Sequence, residues 1–411
     1  MRILLAHKFH ELTGGAEVFF RETERVLRAA GHDTLMVATG ADAVDRPHNL
    51  QLLQAPDYEG GTLLGKAINL PRAIYDGGKR RQMAGIIAEF QPDLLHAFAI
   101  NVHLSPSILD AAHDADIPVI ATLNDYKHIC PNYKLFHHGR ICYDCKGQRF
   151  FNAARNRCCK DNAALSLAST AEAYIHDVLG VYRRIHHFTF SSDFMAEVTT
   201  QFWPDRPFSW SKLRNPFASA THQSRTDDEP YGLYFGRLVA EKGVDRLIEA
   251  AADINGFPIK IIGSGPEQPR LEALAARQGL SNVEFLGPKW GAALEAILSR
   301  ARFVVVPSLW PENFPYVINQ AFALARPVIG SRRGGIPELV ADGERGLIFE
   351  PDDPGALAAH IRHLATDQAA ARRMGIAAKL YSDALFNDGA FLTDVTEAYR
   401  RGIDAHRHRR R

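Results

Sequence analysis

The sequence predicts an α/β protein made of two doubly wound parallel sheets, one in each half of the chain. Three observations carry this. Short apolar runs of strand length alternate with helical patterns from end to end. Such alternation builds a parallel sheet with helices on both faces. The alternation breaks once, at 215–230, where Pro216, Ser219, Thr221, Ser224, Thr226, Asp227, Asp228 and Pro230 replace apolar periodicity, as in an interdomain linker. The length, 411 residues, exceeds one ordinary core and suits two.

In the first half, Ile3 to Ala6 reads as a strand, followed by a loop with Gly14 and Gly15. Phe19, Thr23, Val26, Leu27 and Ala30 fall on one helical face, and Gly31 stops that helix. Strands are expected at Thr34 to Ala38, Asp93 to Phe98, Pro118 to Leu123 and His187 to Ser191, with a helical stretch around Leu104 to Ala112. Ser192 or Asp193 would cap the helix after the last of these. In the second half the strands are Tyr231 to Phe235, Ile259 to Ile262, Val283 to Leu286, Phe303 to Val306, Pro327 to Ile329 and Leu347 to Phe349. From about 354 to 402 the pattern is helical only. The domains expected are 1–216, with a cysteine-rich insertion at about 126–160, then 217–385, then a terminal helix and basic tail at 386–411.

Apolar residues make up 46% and charged residues 23%, an ordinary globular composition. The net charge of +1 gives no support for nucleic acid as a partner. No apolar run approaches the roughly 20 residues of a membrane helix. The first residues are too short for a signal-peptide core, so the cytoplasm is the expected compartment. The tail His406-Arg407-His408-Arg409-Arg410-Arg411 reads either as a solvated end or as a peripheral contact with the anionic inner face of a membrane.

Ligands of doubly wound sheets bind at the carboxyl ends of strands, so the loops there hold the candidate site. Gly14 and Gly15 allow close backbone approach and precede free N–H groups at a helix start; a plain tight turn reads equally well. Gly236 ends a strand and is followed by Arg237 and, five residues on, Lys242. A guanidinium fork and an ammonium suit a diphosphate; surface charge on a turn is the alternative. Gly263-Ser264-Gly265 resembles a dinucleotide fingerprint, but its third glycine position is Gln268, which argues against a nicotinamide enzyme. The strongest segment is Pro307 to Tyr316, with Glu312, Asn313, Phe314 and Pro315 entering an apolar helix. The start of that helix can donate to phosphate or sugar oxygens. Asn319 and Gln320 are its polar residues, and each needs a partner, backbone or ligand. A fifth loop, Ser331 to Glu338, again pairs glycines with cations.

In their order these segments resemble the retaining glycosyltransferases of family 4, of the GT-B fold. The matching segments are Gly14-Gly15-Ala16-Glu17, Gly236-Arg237-Leu238 with Glu241-Lys242-Gly243, Gly263-Ser264-Gly265-Pro266, Glu312-Asn313-Phe314-Pro315, Arg326-Pro327-Val328-Ile329 and Gly334-Gly335-Ile336-Pro337-Glu338. The resemblance implies two Rossmann-like domains facing each other across a cleft, with the terminal helices returning to the first. It implies that Arg237 and Lys242 hold the diphosphate of a UDP- or GDP-sugar, and that Glu312 and the amides after it hold the sugar. The acceptor would be a glycan, a lipid-linked or a small molecule, in polysaccharide or glycoconjugate synthesis. No cofactor would be essential for catalysis. Two positions depart from the family. Gln320 stands where a ribose-gripping Glu is usual, and is a neutral acceptor. Asn124-Asp125 stands where His-Asp is usual, and Asn does not titrate near neutrality. The second functional reading is a nucleotide-sugar-binding relative with weak or no transfer. A phosphorylase would need a pyridoxal-phosphate lysine site, and an epimerase a titratable pair.

All five cysteines fall at Cys130, Cys142, Cys145, Cys158 and Cys159. Cys142 and Cys145 form a C-x-x-C pair, so Cys130, Cys142, Cys145 and Cys158 could serve as ligands of a structural zinc. Packed thiols and a disulfide are the other readings.

Overall fold

The computed structural model describes residues 1–11, 14–40, 47–53, 71–225, 227–254 and 256–409. Thr226 of the linker and Arg410 and Arg411 of the tail lie outside the described residues. The chain divides into two compact units. One comprises Met1–Lys134, Tyr143–Pro216 and Asp388–Arg411; the other comprises Leu135–Cys142 and Phe217–Asn387.

The first unit begins β1 (Arg2–Phe9), α1 (Gly15–Ala29), β2 (Asp33–Thr39), β3 (Leu50–Leu53), α2 (Gly77–Phe90), β4 (Leu94–Ala97), α3 (Ser107–Asp114) and β5 (Val119–Leu123). Next in the chain comes a short antiparallel hairpin that belongs to the other unit, β6 (Phe136–His137) and β7 (Arg140–Ile141). The first unit then continues with α4 (Phe151–Arg155), α5 (Ala163–Val178), β8 (His187–Phe190), α6 (Asp193–Phe202) and β9 (Trp210–Lys212). Among the described residues its sheet has the order β3-β2-β1-β4-β5-β8-β9, with every neighbouring pair parallel. The central strands are buried on both faces, as Ile3 to Ala6 at 0% exposure show, so they read as apolar runs. Strands β3 and β9 do not, which is why the sequence reading lacks them: both are short edge strands with half-buried residues. The α6 cap is as expected, with the Ser192 side chain accepting from the Met195 N–H at 3.3 Å.

The second unit runs β10 (Gly232–Phe235), α7 (Val244–Ala251), β11 (Ile259–Ile262), α8 (Gln268–Arg277), β12 (Val283–Phe285), α9 (Gly291–Leu298), β13 (Phe303–Val306), α10 (Tyr316–Ala323), β14 (Val328–Ser331), α11 (Ile336–Val340), β15 (Gly346–Phe349), α12 (Pro354–Thr366) and α13 (Gln368–Leu385). Its parallel sheet has the order β12-β11-β10-β13-β14-β15. Two apolar layers sandwich it. One is built around Leu247, Ile259, Phe303 and Ile361, the other around Leu233, Val304, Phe322 and Val340. The stretch read as a linker is packed: Ser219 is fully buried, its N–H donates to the Phe386 carbonyl, and its hydroxyl donates to Asp383.

The last helix, α14 (Asp388–Arg409), belongs to the first unit. Phe391, Val395 and Tyr399 join the apolar cluster of Ile3, Phe19 and Leu94. Arg25 grips the Asp388 carboxylate through two N–H groups, at 2.9 and 2.7 Å. The buried Tyr399 hydroxyl meets His96 Nδ1 at 2.8 Å, and His96 Nε2 meets Thr122 Oγ1 at 2.7 Å. At the helix end Arg409 donates to the carbonyls of Arg183 and Ile185.

Candidate functional site

In the second unit the strand order reverses between β10 and β13, which pair side by side with Gly232 opposite Phe303. The loops leaving the carboxyl ends of these two strands are 236–243 and 307–315, the two that the sequence singled out. A doubly wound sheet presents its ligand position at such a reversal.

Backbone contacts hold the two loops together. The N–H groups of Leu309 and Trp310 donate to the Glu241 carbonyl at 2.9 and 3.4 Å. Gly243, at φ +65°, lies so close to Pro307 that an added Cβ would sit 2.1 Å from its carbonyl oxygen. The result is a cation–carboxylate pair, with Lys242 Nζ 2.5 Å from Glu312 Oε1. The same oxygen accepts from Ser308 Oγ at 2.6 Å. The Lys242 ammonium also lies 5.6 Å from the centroid of the Trp310 ring. Glu312 is 5% exposed, so its charge depends on these partners rather than on water.

The remaining loops brace this cluster. From the loop after β14, the Gly335 N–H donates to the Glu312 carbonyl at 2.7 Å, and Ser331 Oγ donates to the Ser308 carbonyl at 2.7 Å. From the loop after β11, the Ser264 carbonyl accepts from Leu238 N–H at 2.9 Å, and Glu267 N–H donates to the Leu238 carbonyl at 3.1 Å. The segment Gly263-Ser264-Gly265 is thus a structural brace.

Arg237 is exposed on its loop directly after Gly236. Asn313 and Phe314 are buried, and Phe314 packs on Phe386 at 5.8 Å. Pro315 caps α10 one residue before the first helical turn, with extended backbone angles. Gln320 is half-buried on α10, and Asn319 beside it is fully buried. Neither side-chain amide atom of Asn319 has a hydrogen-bond partner among the described residues, which removes the backbone-partner reading for that residue. Sequence reasoning missed Ser308 and Trp310. Their signal was position alone, within four residues of Glu312 at the end of a buried strand.

In the first unit, Gly14 precedes α1 and accepts from Val18 N–H at 3.3 Å, and Gly15 opens the helix. Asn124 and Asp125 follow β5 and line a small cavity with Asn101, Thr122 and Tyr182. The Asn124 Nδ2 is buried without a hydrogen-bond partner among the described residues. Asp125 accepts from the Lys127 N–H at 2.9 Å, and burial pushes its carboxyl above the usual range. At the end of β1, which the sequence reading did not single out, His7 is fully buried. Its Nδ1 lies 2.7 Å from the Phe9 carbonyl, and burial pulls its imidazole down to about 4.

Cys145 is buried, and Cys130, Cys142 and Cys158 are half-buried. The Cys130 thiol donates to Asn132 Oδ1 at 3.4 Å.

Two parallel doubly wound sheets, one with a cation–carboxylate pair at its strand-order reversal, define a two-unit, doubly wound class of α/β protein. Residues 13–207 match the model of Glycosyltransferase Family 4, and residues 219–381 match that of Glycosyl transferases group 1. A glycosyltransferase of Methanocaldococcus jannaschii is 36% identical over 155 residues, 38% of this chain and 44% of that protein; the match thus spans less than half of that relative's length. The GDP-mannose-dependent alpha-mannosyltransferase of Mycolicibacterium smegmatis is 27% identical over 86% of this chain and 84% of its own. The structure of Anabaena HepE in complex with UDP has a TM-score of 0.70 at 19% identity, covering 97% of this chain and 100% of that one. The chain belongs to the group 1, family 4 glycosyltransferases and has the GT-B fold.

Proposed function

We propose that this protein transfers a sugar, with retention of configuration, from a UDP- or GDP-sugar to a glycan, lipid-linked or small-molecule acceptor. The observation that carries the reading is the Lys242–Glu312–Ser308 cluster at the β10–β13 reversal. An ammonium has three N–H donors, and Lys242 commits one to Glu312, so it can still donate to a diphosphate. Arg237 adds a second cation from the same loop. Together they would stabilise the leaving diphosphate electrostatically, in the role a divalent ion has in other enzymes. Glu312 and the backbone at the start of α10 would hold the donor sugar, and Gln320 the ribose. Asn124 and Asp125 would act on the acceptor side.

The nucleotides of the related proteins, GDP-mannose for the mycobacterial enzyme and UDP for HepE, set the screen. Thermal shift with a panel of UDP- and GDP-sugars should reveal the donor. A ligand at 100 times its Kd stabilises by about 2.7 kcal/mol. Donor turnover should then persist in a magnesium chelator. A panel with no shift would overturn donor binding, and a shift without donor hydrolysis or transfer would leave a binding protein only.

A further inference from the structure

Helix α5 is amphipathic the wrong way round. Each of its buried residues is polar: Ser166, Thr170, Glu172 and His176. Its inner face is fixed by polar bonds. Glu172 pairs with Lys127 at 2.7 Å, His176 Nε2 meets the Ile74 carbonyl at 2.8 Å, Thr170 donates to the Ser166 carbonyl at 2.8 Å, and Ser166 donates to the Asn162 carbonyl at 2.7 Å. Rolling the helix would break the contacts to Lys127 and Ile74. The opposite face is apolar. Ala164, Leu167, Ala171, Tyr174, Ile175 and Val178 recur at spacings of three and four, which places them on one stripe. Val178 is 85% exposed and Leu167 64%.

The patch extends onto α4. Phe151 is 52% exposed, and its N–H donates to the Tyr174 hydroxyl at 3.2 Å. On α4 and in the chain on either side of it are exposed Lys146, Arg149, Arg155, Arg157 and Lys160, five cations against Asp144 and Asp161 over residues 143–161, a local excess of +3 in a chain of net +1. The Cys159 N–H donates to Ser166 Oγ at 2.9 Å, which brings the last of these cations to the start of α5.

An apolar stripe rimmed by cations is complementary to an anionic bilayer: the stripe enters the acyl boundary and the cations meet the headgroups. We infer that α4 and α5 form the surface by which this protein docks on an anionic membrane. The inference is independent of the glycosyl-transfer reading.

The test is co-sedimentation of the full chain with phosphatidylcholine vesicles, with and without about one-third phosphatidylglycerol. The wild type should sediment with the anionic vesicles only, and less so at about 0.5 M salt. The double change Leu167→Ser with Val178→Ser should weaken binding by about tenfold or more. The triple change Lys146→Gln, Arg149→Gln and Arg155→Gln should abolish the preference for anionic lipid. Ile376→Ser with Leu380→Ser, an exposed apolar pair on α13, should change nothing. Equal thermal melts of all variants would exclude misfolding. The inference is overturned if the wild type ignores anionic vesicles or if the α5 variant binds them unchanged. It is also overturned if sedimentation velocity without lipid shows a dimer that the α5 variant dissolves, since a second copy would then be the occupant.

Discussion

Lys242 and Glu312 make separable predictions, because each is the other's partner. Lys242→Ala removes a charge-assisted contact to the donor and leaves Glu312 5% exposed with only Ser308 on its Oε1. Nucleotide affinity should fall by roughly 1.5–3 kcal/mol, and the melting temperature should fall as well. Unchanged nucleotide affinity in a folded variant would move the diphosphate elsewhere. Glu312→Gln keeps the shape of the cluster but removes the negative charge beside the reacting sugar, so it should mainly lower kcat. Gln320 lies eight residues further, on the second turn of α10, while Glu312 lies in the loop before that helix, which separates the sugar end of the donor from the ribose end. Gln320→Ala should therefore mainly raise KM, since a ribose contact is made equally in ground and transition states. Gln320→Glu should be tolerated or should tighten the donor. If Gln320→Ala left donor affinity unchanged and Glu312→Gln left turnover unchanged, both assignments would fail.

Loops rather than helices or strands set the geometry of this cluster, and their close approach requires glycine at particular points. Gly334 has φ +57°, and a Cβ there would lie 2.0 Å from the Glu312 carbonyl oxygen. Gly334→Ala should cost roughly 1–3 kcal/mol through backbone strain alone, and more if the loop has to move. Because the displaced atom belongs to Glu312, kcat should fall together with stability. A variant less stable but with unchanged kcat would mean that the loop after β14 does not position Glu312. Pro315 and the buried face of α10 were legible in the sequence, since a proline before an apolar run marks a helix start. The burial of Asn319 was not, because its neighbour Gln320 carries the same polar signal and only the packing shows which of the two turns inward.

Across the first unit, burial holds a group of histidines neutral. It pulls His7, His186 and His187 down to about 4 and His96 and His128 down to about 3. In the unfolded chain histidine titrates near 6.5. Below that pH the unfolded state binds protons that the folded state does not, so stability falls as pH falls from about 6.5 toward 4. The slope is at most about 1.4 kcal/mol per pH unit for each histidine. Asp125, with its carboxyl raised by burial, contributes in the opposite direction and does not balance five imidazoles. Thermal melts should show a markedly lower transition at pH 5 than at pH 7.5. Equal transitions would mean that these rings are not held neutral.

Periodicity by itself determined that the chain is α/β, that its two halves repeat one architecture, and which loops carry Arg237, Lys242 and Glu312. It could do so because central parallel strands are buried on both faces and must be apolar, and because ligand loops sit at fixed places relative to such strands. Edge strands β3 and β9 escaped it, since a strand covered on one side needs no apolar run. Only the tertiary structure decided the rest. It joined Lys242 to Glu312 across 70 positions, showed Gly263 to Gly265 as a brace, and turned the apolar stripe of α5 outward. A sequence pattern gives the faces of a helix but not which face the core takes. That choice belongs to the partners of Glu172 and His176, which are Lys127 and Ile74, 45 and 102 positions away.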